Sequence, residues 1–149
     1  MSRIFIAEDD PDVRQVITHL MKSEGHAVSA LRDGQQVVES LRWDAPDLLI
    51  LDIMMPAMDG YDVLEEMARS GSGRHTRVLV LTAKAGEKDF EQSLSLGAAR
   101  HMTKPFDPDE LIDAVNDLLS LSADEVRRLR EDEHHRASLL SQLESLLGD

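Results

Sequence analysis

Carboxylates close two of the short apolar runs in this chain, a threonine closes a third, and a lysine follows the weaker strand pattern Ala99–Thr103. Glu8-Asp9-Asp10 follow RIFIA, Asp52 ends DLLILD, Thr82-Ala83 end RVLVLTA, and Lys104-Pro105 follow the run ending at Thr103. Brought together, such carboxylates each disfavour ionisation of the others. A divalent cation removes that cost. Oxygen-only ligands with open coordination positions suit Mg2+, which keeps several waters and takes one or two carboxylates. A lysine ammonium and a threonine hydroxyl opposite the metal would complete a place for phosphoryl oxygens. In phosphoryl transfer a protein mainly positions groups and neutralises charge. An aspartate can itself be the nucleophile and form an acyl phosphate.

These residues can meet only if the strands that carry them run the same way. Strands are predicted over Arg3–Ala7, Ala27–Leu31, Asp47–Asp52, Arg77–Ala83 and Ala99–Thr103. Asp10 and Pro11 read as the N-cap and first position of a helix that stops at Gly25. Further helices are predicted over Gln35–Trp43, Tyr61–Arg69 and Glu87–Leu96. A last one opens at Asp107-Pro108, with Glu110 three positions on from its cap, and runs to about Leu121. Apolar strands alternating with amphipathic helices indicate an α/β fold, a doubly wound parallel sheet covered on both faces. Ligand sites in such folds lie at the carboxyl ends of the strands, where the polar residues above would gather.

Composition narrows the field further. The 149 residues carry a formal net charge of −13, which disfavours nucleic-acid binding, because phosphate contacts need clustered Lys and Arg. There is no cysteine, hence no disulfide framework, thiolate chemistry or cysteine-based zinc site. The N-terminal apolar stretch is too short for a signal peptide, and no run approaches the roughly 20 apolar residues of a membrane span. A cytoplasmic location is the default expectation. Neither a G-x-x-x-x-G-K-S/T loop nor a G-x-G-x-x-G turn follows the first strand, which disfavours a nucleotide-binding protein.

The set E-D-D, D-I-M-M-P-A-M-D-G, T-A and K-P-F, in that order at four strand ends, resembles a response-regulator receiver domain of two-component signalling. The resemblance covers about Arg3 to Leu121. It implies a flavodoxin-like five-stranded sheet in the order 2-1-3-4-5. It implies Asp52 as phosphoacceptor, with Glu8, Asp9, Asp52 and the backbone carbonyl of Met54 around Mg2+. Lys104 would contact the phosphoryl group through a chain in which the Lys104–Pro105 bond is cis, and Thr82 would be the switch hydroxyl. A sensor histidine kinase or phosphotransfer protein would be the donor. A downstream protein would read the face made by the fourth helix, fifth strand and fifth helix. The domain would be a signalling switch rather than an enzyme.

The pattern departs at His101, where the family usually carries Tyr or Phe. That ring swings inward in the resemblance when the switch threonine moves. His101 reads either as such a switch residue or as a half-exposed histidine at a strand edge. Met54, Met55 and Met58 read as loop packing, and Asp59 as a turn residue or cap. An aspartate-nucleophile phosphatase of the haloacid-dehalogenase type would need a second Asp two residues after Asp52, where Met54 stands. The adjacent pair His134-His135 reads as solvated.

Residues 1–121 are thus expected as the receiver and 122–149 as a C-terminal helical extension. The extension opens on a second capping box, Ser122 to Glu125, and reads as one helix from Ala123 to about Leu147. It holds seven acidic residues against four arginines, a net of −3, and is too short for a separate effector domain. A homodimerisation or partner-docking helix over 123–147 is one expectation, and a linker stub the other. A phosphorylation-independent scaffold acting through this helix is the alternative function.

Overall fold

The computed structural model describes residues 2–128. The expectations for the extension beyond residue 128, His134-His135 included, lie outside the described residues. Five strands alternate with five helices: β1 Arg3–Ala7, α1 Pro11–Ser23, β2 Ala27–Leu31, α2 Gly34–Trp43, β3 Leu48–Leu51, α3 Gly60–Ser70, β4 Arg77–Thr82, α4 Glu87–Ser95, β5 Arg100–Thr103 and α5 Pro108–Leu119. All strand pairs are parallel, in the order β2-β1-β3-β4-β5. The doubly wound architecture read from the sequence is the one observed.

The period of two along each strand feeds two core layers. Phe5, Leu49, Leu51, Val78 and Val80 face Val37, Leu41, Val63 and Leu64 of α2 and α3. Ile4, Ile6, Leu48, Ile50, Leu79 and Leu81 face Ile17 and Met21 of α1 and Leu111 and Val115 of α5. That double burial is why these strands read as unbroken apolar runs. The register sets Ala7 beside Leu51 and Leu51 beside Val80. The next residues, Glu8 and Asp52, therefore emerge side by side at one sheet edge.

Caps decide where the helices start. Asp10 accepts from the Asp12 and Val13 N–H groups, and Asp107 from those of Asp109 and Glu110. Asp59 and Asp62 form a reciprocal capping box for α3, so Asp59 is the cap rather than a free turn residue. Predicted and observed ends differ by a residue or two at several elements. Asp52 is the clearest case: it lies just past β3, yet its N–H still reaches the Ala7 carbonyl at 3.0 Å.

At the opposite edge, Arg77 opens β4 and grips the end of α5. Its Nε donates to the Leu118 carbonyl at 2.7 Å, and a guanidinium N–H donates to the Leu121 carbonyl. Beyond this clasp residues 123–128 are helical, with Ser122 Oγ accepting from the Glu125 N–H at 3.1 Å and Val126 buried. Among the described residues no helix is long and apolar enough to cross a membrane.

Candidate functional site

The carboxyl edge of the sheet collects the residues singled out above. Glu8 follows β1, Asp52 follows β3, Thr82 ends β4 and Lys104 follows β5. Glu8 and Asp52 are only 2% and 5% exposed, whereas Asp9 faces solvent. The Lys104–Pro105 bond is cis. Lys104 Nζ bridges the two buried acids, donating to Glu8 Oε1 and, at 3.0 Å, to Asp52 Oδ2. The second oxygen of each acid is held by backbone. Asp10 N–H donates to Glu8 Oε2 at 3.3 Å, and Met54 N–H to Asp52 Oδ1 at 3.0 Å.

Burial dominates the electrostatics of this triad. Desolvation pushes the Glu8 carboxyl up to about 7; the Lys104 hydrogen bond opposes this, and neighbouring Asp52 reinforces it. On Lys104, burial alone would favour the neutral amine. The hydrogen bonds to Glu8 and Asp52 outweigh it and raise the ammonium pKa. The site is therefore organised around one shared positive charge.

Glu8, Asp9 and Asp52 each offer a carboxylate oxygen, and these atoms lie within 4.8 Å of one another. An all-oxygen set with one solvent-facing member fits Mg2+, which retains waters. Both Glu8 oxygens are already engaged within the protein. Direct ligation by Glu8 would thus require release of Lys104 or of the Asp10 N–H, while Asp9 is open to a cation.

Two further residues shape the site, Arg14 with no sequence signal of its own and Gly60 as the last residue of the D-I-M-M-P-A-M-D-G motif. Arg14, one turn into α1, donates to the Glu8 carbonyl at 2.8 Å and to the Asp9 carbonyl at 3.4 Å, fixing the acidic loop. Gly60 packs so closely under the Asp52 carbonyl that a Cβ there would lie 2.5 Å from the oxygen. Met55 packs into the core and Met58 against it. Met54 does not: it is 51% exposed, while its backbone N–H serves Asp52.

Thr82 is fully buried, and its Oγ1 accepts from Lys84 N–H at 3.3 Å. His101 is 9% exposed, which corrects the half-exposed strand-edge reading. Its Nε2 lies 3.0 Å from the Lys84 carbonyl and its Nδ1 2.8 Å from Ser93 Oγ. Ser93 was not legible as a partner in the sequence; its only signal is a small polar residue on the inner stripe of α4. The arrangement as a whole can hold a cation, present a carboxylate to an electrophile and neutralise the new charge with Lys104.

Comparison with known proteins agrees with this geometry. The family model described as the response regulator receiver domain matches residues 4–116. The DNA-binding response regulator MtrA of Mycolicibacterium smegmatis is 34% identical over 139 residues, which are 93% of this chain and 55% of that protein. The response regulator SaeR of Staphylococcus aureus is 35% identical over 80% of this chain and 51% of its own length. The chain thus spans about half the length of these curated relatives. Among solved structures, the receiver domain of the sensor histidine kinase PA1611 from Pseudomonas aeruginosa, with a magnesium ion in its active-site cleft, superposes with a TM-score of 0.74. That match has 30% identity and covers 80% of this chain and 98% of that one.

Proposed function

The chain belongs to the response-regulator receiver domain family, and on that premise we propose that Asp52 accepts a phosphoryl group from a phosphohistidine. The donor is a sensor histidine kinase or a phosphotransfer protein. An Asp52 carboxylate oxygen attacks phosphorus, the P–N bond breaks, and its electron pair stays on the departing imidazole, which takes up a proton. The product is an acyl phosphate. The observation that carries this reading is the buried Asp52 carboxylate held by Lys104, with Asp9 open beside it.

Mg2+, held by Asp9, Asp52 and the Met54 carbonyl with Glu8 behind them, would supply positive charge to the phosphoryl oxygens during transfer. Lys104 supplies the protein's own share of that charge. It gives up part of its bond to Asp52 and turns to the incoming oxygens. Thr82 then reorients its hydroxyl toward the phosphoryl group, and Lys84 loses the acceptor of its N–H.

The output surface in this reading is the face of α4, β5 and α5. It carries a cleft of about 300 Å³ lined by Phe90, Arg100, His101, Met102 and Phe106 among others. Phe90 is 46% exposed there, a large apolar side chain suited to a protein partner. In the same reading the segment 123–147 pairs two copies of the chain. Light scattering on a chain cut after Leu121 should show a monomer where the full chain is a dimer; no change in mass would sink the pairing. The cytoplasm is the location that goes with this reading.

Intact mass after incubation with acetyl phosphate and Mg2+ tests the central claim. Wild type should gain one phosphoryl group, and Asp52→Asn or metal-free samples none. Failure with both acetyl phosphate and a phosphohistidine donor would remove the reading and leave a phosphorylation-independent scaffold.

A further inference from the structure

The helix α4 is poorly anchored by apolar contacts. Its one fully buried residue is Ser93, and its N-cap, Gly86, makes no side-chain cap. Two polar links hold it instead. Tyr61 Oη donates to Asp89 Oδ1 at 2.9 Å, and Ser93 Oγ meets His101 Nδ1 at 2.8 Å.

The proton inventory fixes the tautomer of the neutral His101 ring. The Lys84 carbonyl can only accept, so His101 Nε2 carries the proton that reaches it at 3.0 Å. In the neutral ring Nδ1 is then an acceptor, and the Ser93 hydroxyl has two acceptors in reach, Nδ1 at 2.8 Å and the Phe90 carbonyl at 3.0 Å. The ring is bonded at both ends and flanked by the Phe90 ring, with centroids 5.6 Å apart. Turning it outward would break both ring contacts and leave the buried Ser93 hydroxyl only the Phe90 carbonyl of its own helix. Lys84 meanwhile is tied to two residues through one peptide segment: its N–H to Thr82 Oγ1 and its carbonyl to His101.

We propose that His101 is a strut locked inward before phosphorylation, and that Ser93 is the positioning residue through which the Lys84 segment drives α4. The proposal rests on Asp52 as phosphoacceptor for its input. Thr82 turns to the phosphoryl group, Lys84 loses its weakest bond and shifts, and His101 and Ser93 carry the shift into α4. The ring transmits by being held, without a swing of its own.

Nuclear magnetic resonance on the full 15N-labelled chain tests both halves. In resting wild type the His101 Nε2–H should be slow to exchange and Nδ1 should show the signature of an acceptor; a freely exchanging ring overturns the lock. With acetyl phosphate and Mg2+, wild type and Ser93→Ala should gain the same phosphoryl group by mass. The α4 amide shifts of wild type should then fall to less than half in Ser93→Ala and return in Ser93→Thr. An undiminished α4 response in Ser93→Ala, or loss of the Nε2 bond in phosphorylated wild type, overturns the relay. If no sample gains a phosphoryl group from acetyl phosphate or from a phosphohistidine donor, the phosphoacceptor reading and the relay fall together, while the lock is judged on the resting spectrum.

Discussion

Lys104 Nζ stands 3.0 Å from Asp52 Oδ2 while also bonding Glu8, so one ammonium compensates two buried carboxylates. Its removal leaves both without the charge that compensates them, with only the Asp10 and Met54 N–H groups as donors. Breaking a buried ion pair on one side is costly, and Lys104→Ala should destabilise the metal-free protein by roughly 3 kcal/mol. Mg2+ should restore part of the loss, because it brings positive charge to the same acids. Urea unfolding with and without Mg2+ measures this; an unchanged midpoint in the metal-free variant would contradict it.

Glu8 makes stability depend on pH in an unusual direction. Its pKa is raised to about 7 in the folded protein, against an ordinary value of 4.5. Between those values the folded chain binds more protons than the unfolded one. The stabilising contribution is therefore complete below about pH 4.5 and is lost as pH rises through 7. It amounts to at most on the order of 3 kcal/mol. Thermal melts in chelator should fall across this window, and Glu8→Gln should flatten the profile. A wild-type melting temperature that rises over the same range would refute the assignment.

Gly60 links the fold to the chemistry. A Cβ at this position would approach the Asp52 carbonyl oxygen to 2.5 Å and Ile53 Cα to 2.7 Å. Both are backbone atoms with no flexible side chain to yield. Gly60→Ala should cost about 3 kcal/mol, at the upper end for overpacking, and slow phosphorylation by displacing Asp52. A variant with wild-type melting temperature and rate would show that the loop accommodates the methyl group.

The sequence made the frame legible because the frame depends on local pattern. LLIL and VLVL are apolar at every position because both sheet faces are covered, and Asp10 and Asp107 announce their helices by capping them. Asp52 was legible for a related reason: a charge directly after a buried strand is costly to desolvate, so it stands out against the apolar run before it, whereas Lys104 was legible from its place beside Pro105 after a strand. What escaped were contacts made between elements or from a helix back to a loop. Ser93 reads as an ordinary helix residue until His101, eight positions on, is placed against it. Arg14 shows its purpose only once α1 has packed back over the acidic loop. The carbonyls of Leu118 and Leu121 give no hint in sequence of the arginine some 40 residues earlier that holds them. Such contacts are set by tertiary placement, and no propensity or period encodes them.

The clasp at Arg77 has a geometric consequence for traffic around the molecule. Arg77 and Thr82 are the first and last residues of the same six-residue strand. At about 3.3 Å per residue, the root of the C-terminal segment lies roughly 17 Å from the acidic edge, at the other pole of the sheet. If the proposed donor and tail partner both bind, they would approach the sheet from opposite ends, so binding at the root would not itself cover Asp52.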